Sequence, residues 1–217
     1  MNLLILGANG QIAKIIENRI LSEDEFSNVN LTLFLRDKAR LNELSNNPRV
    51  SLIEGNISDQ AALQQALNNQ QLVLLATVDT DSNNTITKTV ISAMKKQNVN
   101  RILAASSIGI YGEEPNPAFH SWNQQTLSSA LKPMRQADEL LKSSSLIYTT
   151  LRFGWLNDRD QVQYSITEQG TKFAGGSGSR KSMADAILTI IANPSLYENE
   201  TIGISDPSTK DAPSVVY

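Results

Sequence analysis

The run Gly7-Ala8-Asn9-Gly10-Gln11-Ile12-Ala13 comes straight after the apolar segment Asn2-Leu3-Leu4-Ile5-Leu6. Glycine at the first and fourth positions of such a turn lets the main chain approach a ligand more closely than any side chain would allow. If a strand leads in and a helix leads out, the helix N-terminus adds unsatisfied N–H groups and a favourable dipole, and the chemistry this suits is diphosphate binding. The spacing is G-x-x-G-x-x-A, with Ala13 small enough for the close helix–strand packing that a third glycine often provides. Ile12, Ile15, Ile16 and Ile20 then recur at helical spacing. A strand-turn-helix followed by further units of the same kind points to a dinucleotide and not to an ordinary tight turn.

The second strand ends in Leu35-Arg36-Asp37-Lys38. An acidic side chain at this place accepts from the ribose 2′-OH of NAD, whereas arginine pairs with the 2′-phosphate of NADP. Arg36 is placed to stack on adenine and clamp that phosphate, and Lys38 and Arg40 add positive charge, so the reading favours NADP. The alternative is NAD, held through its ribose by Asp37 turned inward; otherwise Asp37 caps the next helix.

Other reactive side chains are sparse. The absence of cysteine excludes disulfides, thiolate metal sites and cysteine nucleophiles, and a single histidine, His120, leaves little for a metal site, so no metal is expected. His120 stands with Phe119 and Trp122 in a polar stretch, where it would act as an acid if a substrate lay beside it. Gly175-Gly176-Ser177-Gly178-Ser179-Arg180 looks like a second phosphate loop but lacks the Gly-Lys-Ser/Thr ending, and reads as a flexible loop. The formal charge of −3 gives no electrostatic reason to bind nucleic acid or an anionic membrane. The expected partner is a small molecule, and the sequence carries no sign of oligomeric state.

The elements that position these residues follow from periodicity. Short apolar runs alternate with helical segments, the pattern of an α/β fold: a single Rossmann domain over 1–217, doubly wound, with a mostly parallel sheet and helices on both faces. Strands are expected at 2–7, 31–35, 50–54, 72–76, 101–106 and 146–153, with a short last one near 201–205. Helices are marked by Ile86, Val90, Ala93 and Met94, by Leu63, Ala66 and Leu67 with Ser58 or Asp59 as N-cap, and by Leu127, Leu131, Met134 and Leu141, where Pro133 marks a kink or the true start. A further helix is expected with Ser182 as N-cap, Asp185 at its third position and Met183, Ile187, Ile190 and Ile191 inward. Residues 110–125 and 155–180 read as loops on the substrate side, and the tail beyond Pro207 as loose. The first residues enter a strand without a signal peptide's basic flank, and no apolar run approaches the roughly 20 residues that span a bilayer. The expectation is a cytoplasmic protein.

With these residues in view the chain resembles the atypical short-chain dehydrogenase/reductases, in particular the NmrA-like NAD(P)-binding branch, which includes small flavin and quinone reductase-like proteins. The marks are the Gly7-Ala8-Asn9-Gly10 loop, Arg36-Asp37, Gly55-Asn56-Ile57-Ser58-Asp59, Ser106-Ser107-Ile108-Gly109-Ile110-Tyr111-Gly112, and Tyr148-Thr149-Thr150-Leu151-Arg152-Phe153-Gly154, with Phe153 where the family has proline. The resemblance implies cofactor contacts from Gly7, Asn9, Gly10, Gln11 and Ile12, an adenine pocket at Asn56 and Ile57, and passage of the ribose by Ala76 and Thr77.

Dehydrogenases of this family use Ser with Tyr-x-x-x-Lys. Ser107 matches the serine, but Ala130 and Met134 fall where tyrosine and lysine would stand, and neither transfers a proton. Tyr111 is a candidate substitute because it follows the fifth strand on the cofactor side; Lys132 and Arg135 flank the vacant place as helix surface charges. Epimerisation of a nucleotide sugar would need the missing pair and a larger C-terminal domain. The resemblance therefore implies an NADPH-dependent oxidoreductase passing hydride to a small-molecule electron acceptor such as a flavin or quinone, a reaction that asks mainly for positioning. Its alternative is a catalytically silent NADP(H)-sensing regulator that acts through a protein partner.

Overall fold

Leu3 and Ile5 point to one side of their strand and Leu4 and Leu6 to the other, and all four are fully buried. A strand permits that only where both faces of its sheet are covered. The computed structural model, which describes residues 1–217, shows this arrangement. The chain runs β1 (Asn2–Leu6), α1 (Gln11–Ser22), β2 (Asn30–Leu35), β3 (Val50–Glu54), α2 (Gln60–Ala66), β4 (Leu72–Leu75), α3 (Thr85–Lys96) and β5 (Arg101–Ser107). It continues through α4 (Pro117–Thr126), α5 (Leu131–Lys142), β6 (Ile147–Phe153), β7 (Trp155–Asn157), β8 (Ser165–Thr167), β9 (Ser177–Ser179), α6 (Arg180–Ala192) and β10 (Glu200–Ser205).

Eight strands form one sheet in the order β3-β2-β1-β4-β5-β6-β10-β8. All neighbours are parallel except β10 and β8. The order reverses between β1 and β4, and in open α/β sheets that switch point leaves a crevice beyond the C-terminal ends of the strands. On one face Ala13, Ile16 and Ile20 of α1 and Met183, Ile187, Ile190 and Ile191 of α6 pack on Leu3, Ile5, Leu33, Ile202 and Ile204. On the other, Leu63 of α2, Val90 and Met94 of α3 and Leu141 of α5 pack on Leu4, Leu6, Val73, Leu75 and Ile102. Burying side chains of this size stabilises by about 1.5–3 kcal/mol each relative to exposure, which makes the two layers the main source of stability.

Several elements differ from what the sequence alone suggests. Residues 117–126 are a helix and not a loop: Asn116 caps it by accepting from the Phe119 amide, and Pro117 takes the first helical position, where its missing N–H is no loss. The glycine-rich stretch is buried and leads into a strand rather than forming a flexible loop; β9 pairs in parallel with β7, and Gly176, just before it, packs so closely under Phe119 that a Cβ would enter its ring. The N-cap of α6 is Ser179, which accepts from the Ser182 amide, so Ser182 lies inside the helix. Asp185 is no cap: it bonds Arg19 of α1 at 2.7 Å and the Tyr164 hydroxyl at 3.0 Å. The tail is tied down rather than loose, since the Val216 amide donates to Ser177 and its carbonyl accepts from Asn157. Pro133 stands in the first turn of α5 and marks its start. No helix is long and apolar enough to cross a membrane.

Candidate functional site

Gly7 adopts φ +91°, a conformation that a side chain would strain, and this turns the chain from β1 toward α1 while its amide donates to the Phe34 carbonyl at the end of β2. Gly10 then caps α1 with no side-chain bond, and the first turn of the helix carries no acid. The Gln11, Ile12 and Ala13 amides find no acceptor within the protein. Three free N–H groups at the positive end of a helix form a cradle for a diphosphate, so the residues present fit a dinucleotide at this point.

The cradle opens onto a cleft of about 800 Å³. Its walls bring together Gly7, Asn9, Gly10, Arg36, Asn56, Ile57, Ala76 and Thr77, which the sequence singled out from four separate β–α junctions. Gln11 and Ile12, also singled out by the sequence, do not line it; they follow Gly10 in the first turn of α1. Phe34, Leu35, Asp37, Arg40, Gly55 and Ile86 complete the lining. Asp37 does not turn inward: its carboxylate accepts from the Ala39 amide at 3.2 Å and pairs with Arg40 at 3.3 Å, capping the short helical turn Lys38–Leu44. Arg36 is exposed on the same wall and forms no ion pair.

Ser107 and Tyr111 lie outside this cleft, at and beyond the C-terminal end of β5. Ser107 is half-buried and its hydroxyl has no protein partner, which leaves it free to bond a ligand. Tyr111 is committed elsewhere. Its hydroxyl donates to the buried Asp138 carboxylate and accepts from Lys142 Nζ at 2.8 Å. Burial first, and then the bond to Asp138, push its pKa well above the ordinary tyrosine value, so this phenol keeps its proton. Asp138 also accepts from Thr201 at 2.8 Å, and the neighbouring Arg152, fully buried, pairs with Glu113. This network fastens α5, β6 and β10 to the segment after β5.

The positions that a Tyr-x-x-x-Lys pair would occupy are apolar in space as well as in sequence. Ala130 precedes the first turn of α5, and Met134 is buried against Ile110 and Leu131. Lys132 is exposed, and Arg135 pairs with Glu139 at 2.9 Å while its guanidinium lies over the Tyr111 ring. Ser179 is the cap of α6, and Arg180 bonds Asp158 at 2.7 Å.

Sequence reasoning missed Glu114, whose buried carboxylate lies 2.8 Å from His120 Nδ1 and also accepts from Asn123 at 2.9 Å and Gln124 at 3.2 Å. The available signal was Asn116-Pro117, a cap followed by a first-turn proline, which starts a helix and so places residues 120, 123 and 124 along one side of it. Burial alone would push Glu114 up, but the bonds from His120, Asn123 and Gln124 outweigh it and hold the carboxyl below the usual glutamate value.

The sequence matches the NAD(P)H-binding family over residues 7–194. Among solved structures, a short-chain dehydrogenase/reductase from Veillonella parvula DSM 2008 in complex with NADP is 28% identical, aligns 100% of this chain with 99% of its own, and has a TM-score of 0.90. A Rossmann-fold NAD(P)-binding family protein from Shigella flexneri is 33% identical over 100% of this chain and 98% of its own, with a TM-score of 0.79. An anaerobilin reductase from Escherichia coli O157:H7 is 19% identical over 98% of this chain and 100% of its own, with a TM-score of 0.78, a likeness of fold alone. Comparison by sequence with curated proteins finds no match. The free amides of α1, the cleft at the sheet's switch point and the match over most of the chain agree: this chain belongs to the NAD(P)H-binding family of Rossmann proteins, of the short-chain dehydrogenase/reductase type.

Proposed function

We propose that the protein is an NADPH-dependent reductase that passes hydride to a planar, electron-poor small molecule such as a flavin or quinone. The observation that carries this reading is the burial of Met134 between Ile110 and Leu131, where the family's lysine would stand. Carbonyl reduction through this family's dyad needs the tyrosine and lysine that are missing, whereas a flavin or quinone accepts hydride without that pair and asks chiefly to be held at the right distance and angle. The Veillonella parvula protein supports NADP as the cofactor, and so does Arg36 with the Asp37 carboxylate already engaged.

In this reading the Gln11, Ile12 and Ala13 amides hold the diphosphate. Asn56 and Ile57 line the adenine, Arg36 and Arg40 take the 2′-phosphate, and Ala76 and Thr77 pass the ribose toward β5. The bound cofactor supplies hydride from its reduced nicotinamide. Ser107 offers a hydroxyl to the acceptor, and Tyr111 acts by fixing the segment after β5 through Asp138 and Lys142.

Mixing the protein with NADPH and a panel of flavins and quinones, and following reduced-nicotinamide absorbance, tests the proposal. Protein-dependent oxidation that falls in Ser107→Ala is the expected result. Tight NADPH binding with no oxidation by any acceptor would overturn it and favour a cofactor-sensing regulator that works through a protein partner.

A further inference from the structure

Glu114 is an ionised carboxylate with a side chain wholly removed from solvent, and the one titratable group bonded to it is His120. Burying such a charge is costly, and a mere tie between the 109–114 turn and α4 needs only neutral groups, as in the bond from the Gln124 amide to the Gly109 carbonyl. What the charge adds is orientation. With Nδ1 directed at Glu114, the second nitrogen of the ring, Nε2, is left without a protein partner on a side chain that is 47% exposed. An imidazole held by a carboxylate at one nitrogen and open at the other is built to exchange protons.

The turn is shaped around this pair. Gly109 adopts φ +94°, and a Cβ there would meet Asn123 and lie 2.7 Å from the Glu114 carboxylate. Gly112, at φ +72°, leaves the space beneath the imidazole open, its missing Cβ being 4.0 Å from His120 Cε1. The turn continues directly from Ser107 at the C-terminal end of β5, the same end of the sheet at which the glycine loop leaves β1.

We propose that His120 is the proton donor of the reaction and Glu114 its positioning residue. The inference rests on the hydride-transfer reading above. The reduced nicotinamide supplies the hydride and is oxidised, and the acceptor is reduced by two electrons. His120 in its imidazolium form gives the Nε2 proton to the acceptor oxygen or nitrogen that has gained the electron pair; that N–H bond breaks, a new O–H or N–H bond forms, and the neutral imidazole recovers a proton from water.

Because the chain has one histidine, its Cε1–H signal can be followed in the full-length, cofactor-free protein by NMR without assignment. Loss of the carboxylate in Glu114→Gln is expected to move that signal at fixed pH, because the ring loses the partner that orients Nδ1. In quinone reduction with NADPH, His120→Gln, which can still bond Glu114, is expected to lower kcat by ~10²-fold with KM for NADPH unchanged. Glu114→Gln is expected to lower kcat by about 10-fold with KM for NADPH unchanged, and Glu114→Asp to recover part of that loss. An active wild type whose kcat is matched by Glu114→Gln overturns the positioning role. An active wild type matched by His120→Gln overturns the proton donor and leaves hydride transfer standing. A wild type that reduces no acceptor overturns both.

Discussion

Asp37 and Arg40 form an ion pair at 3.3 Å on the wall of the cleft, and the same carboxylate accepts from the Ala39 amide. Asp37 is thereby occupied along its own short helical turn, and Arg36 is the neighbouring side chain left open to a ligand. Charge-assisted bonds to a phosphate contribute about 1.5–3 kcal/mol. Arg36→Ala is therefore expected to weaken NADPH binding by about 10- to 100-fold while changing NADH binding less than about 3-fold, measured by isothermal titration. An equal loss for both cofactors would remove the 2′-phosphate contact from the account.

The turn at Gly109 tests the packing around Glu114 and Asn123. A methyl group there meets both a positive φ and two buried polar side chains that have little freedom to move. Gly109→Ala should destabilise the fold by about 2–4 kcal/mol in urea denaturation, from backbone strain and overpacking together. Gly170, also at positive φ but with nothing within 4 Å of an added methyl, is the control for strain alone and should cost about 1 kcal/mol. Equal losses at the two positions would show that crowding at the turn contributes nothing.

Glu17 on α1 is buried with one carboxyl oxygen unpartnered, and burial pushes its pKa from 4.5 up to about 8, against a smaller opposing effect of Lys14. The folded state then holds the proton more tightly than the unfolded chain. Stability should be fully present below about pH 4.5 and fall as pH rises through about 8, by an amount on the order of a few kcal/mol. Glu17→Gln should abolish that slope and be the more stable protein above pH 8. Parallel stability–pH curves for the two proteins would count against a neutral Glu17.

Arg152 and Glu113 tie β6 to the segment after β5, and Glu113 also accepts from the Gly170 amide. Glu113→Gln leaves a fully buried guanidinium without its counter-charge and should cost about 3–5 kcal/mol. Adding Arg152→Met removes that charge and should recover part of the loss. If the double variant is as unstable as the sum of the singles, the two side chains do not act as a pair.

Much of the cleft is legible in the sequence because its parts are local. Gly7 to Ala13, Arg36, Asn56 and Thr77 each stand at the end of a short apolar run, and a parallel sheet gathers strand ends at one edge whatever the rest of the chain does. The loss of the Tyr-x-x-x-Lys pair is readable in the same way, since Ala130 and Met134 occupy fixed steps along one helix. The helix at 117–126 was also within reach, through Asn116-Pro117, but its polar composition reads as a loop because only one narrow stripe of it is buried.

Other features have no local signature. Asp185 looks like a helix cap until Arg19, 166 positions away, is placed beside it. The stretch Gly175 to Gly178 has the composition of a mobile loop, yet it is buried and its second half starts a strand, because β7 offers Ser177 and Gly178 backbone partners and Phe119 packs against Gly176. By itself the sequence determined the strand–helix alternation, the diphosphate cradle and the missing dyad, which depend on residue type and spacing within one element. The tertiary structure alone decided that Tyr111 is locked to Asp138 and that His120 is aimed by Glu114. The free energy of a buried charge depends on which partners the folded chain brings within hydrogen-bond reach, and helical or strand periodicity carries no record of that.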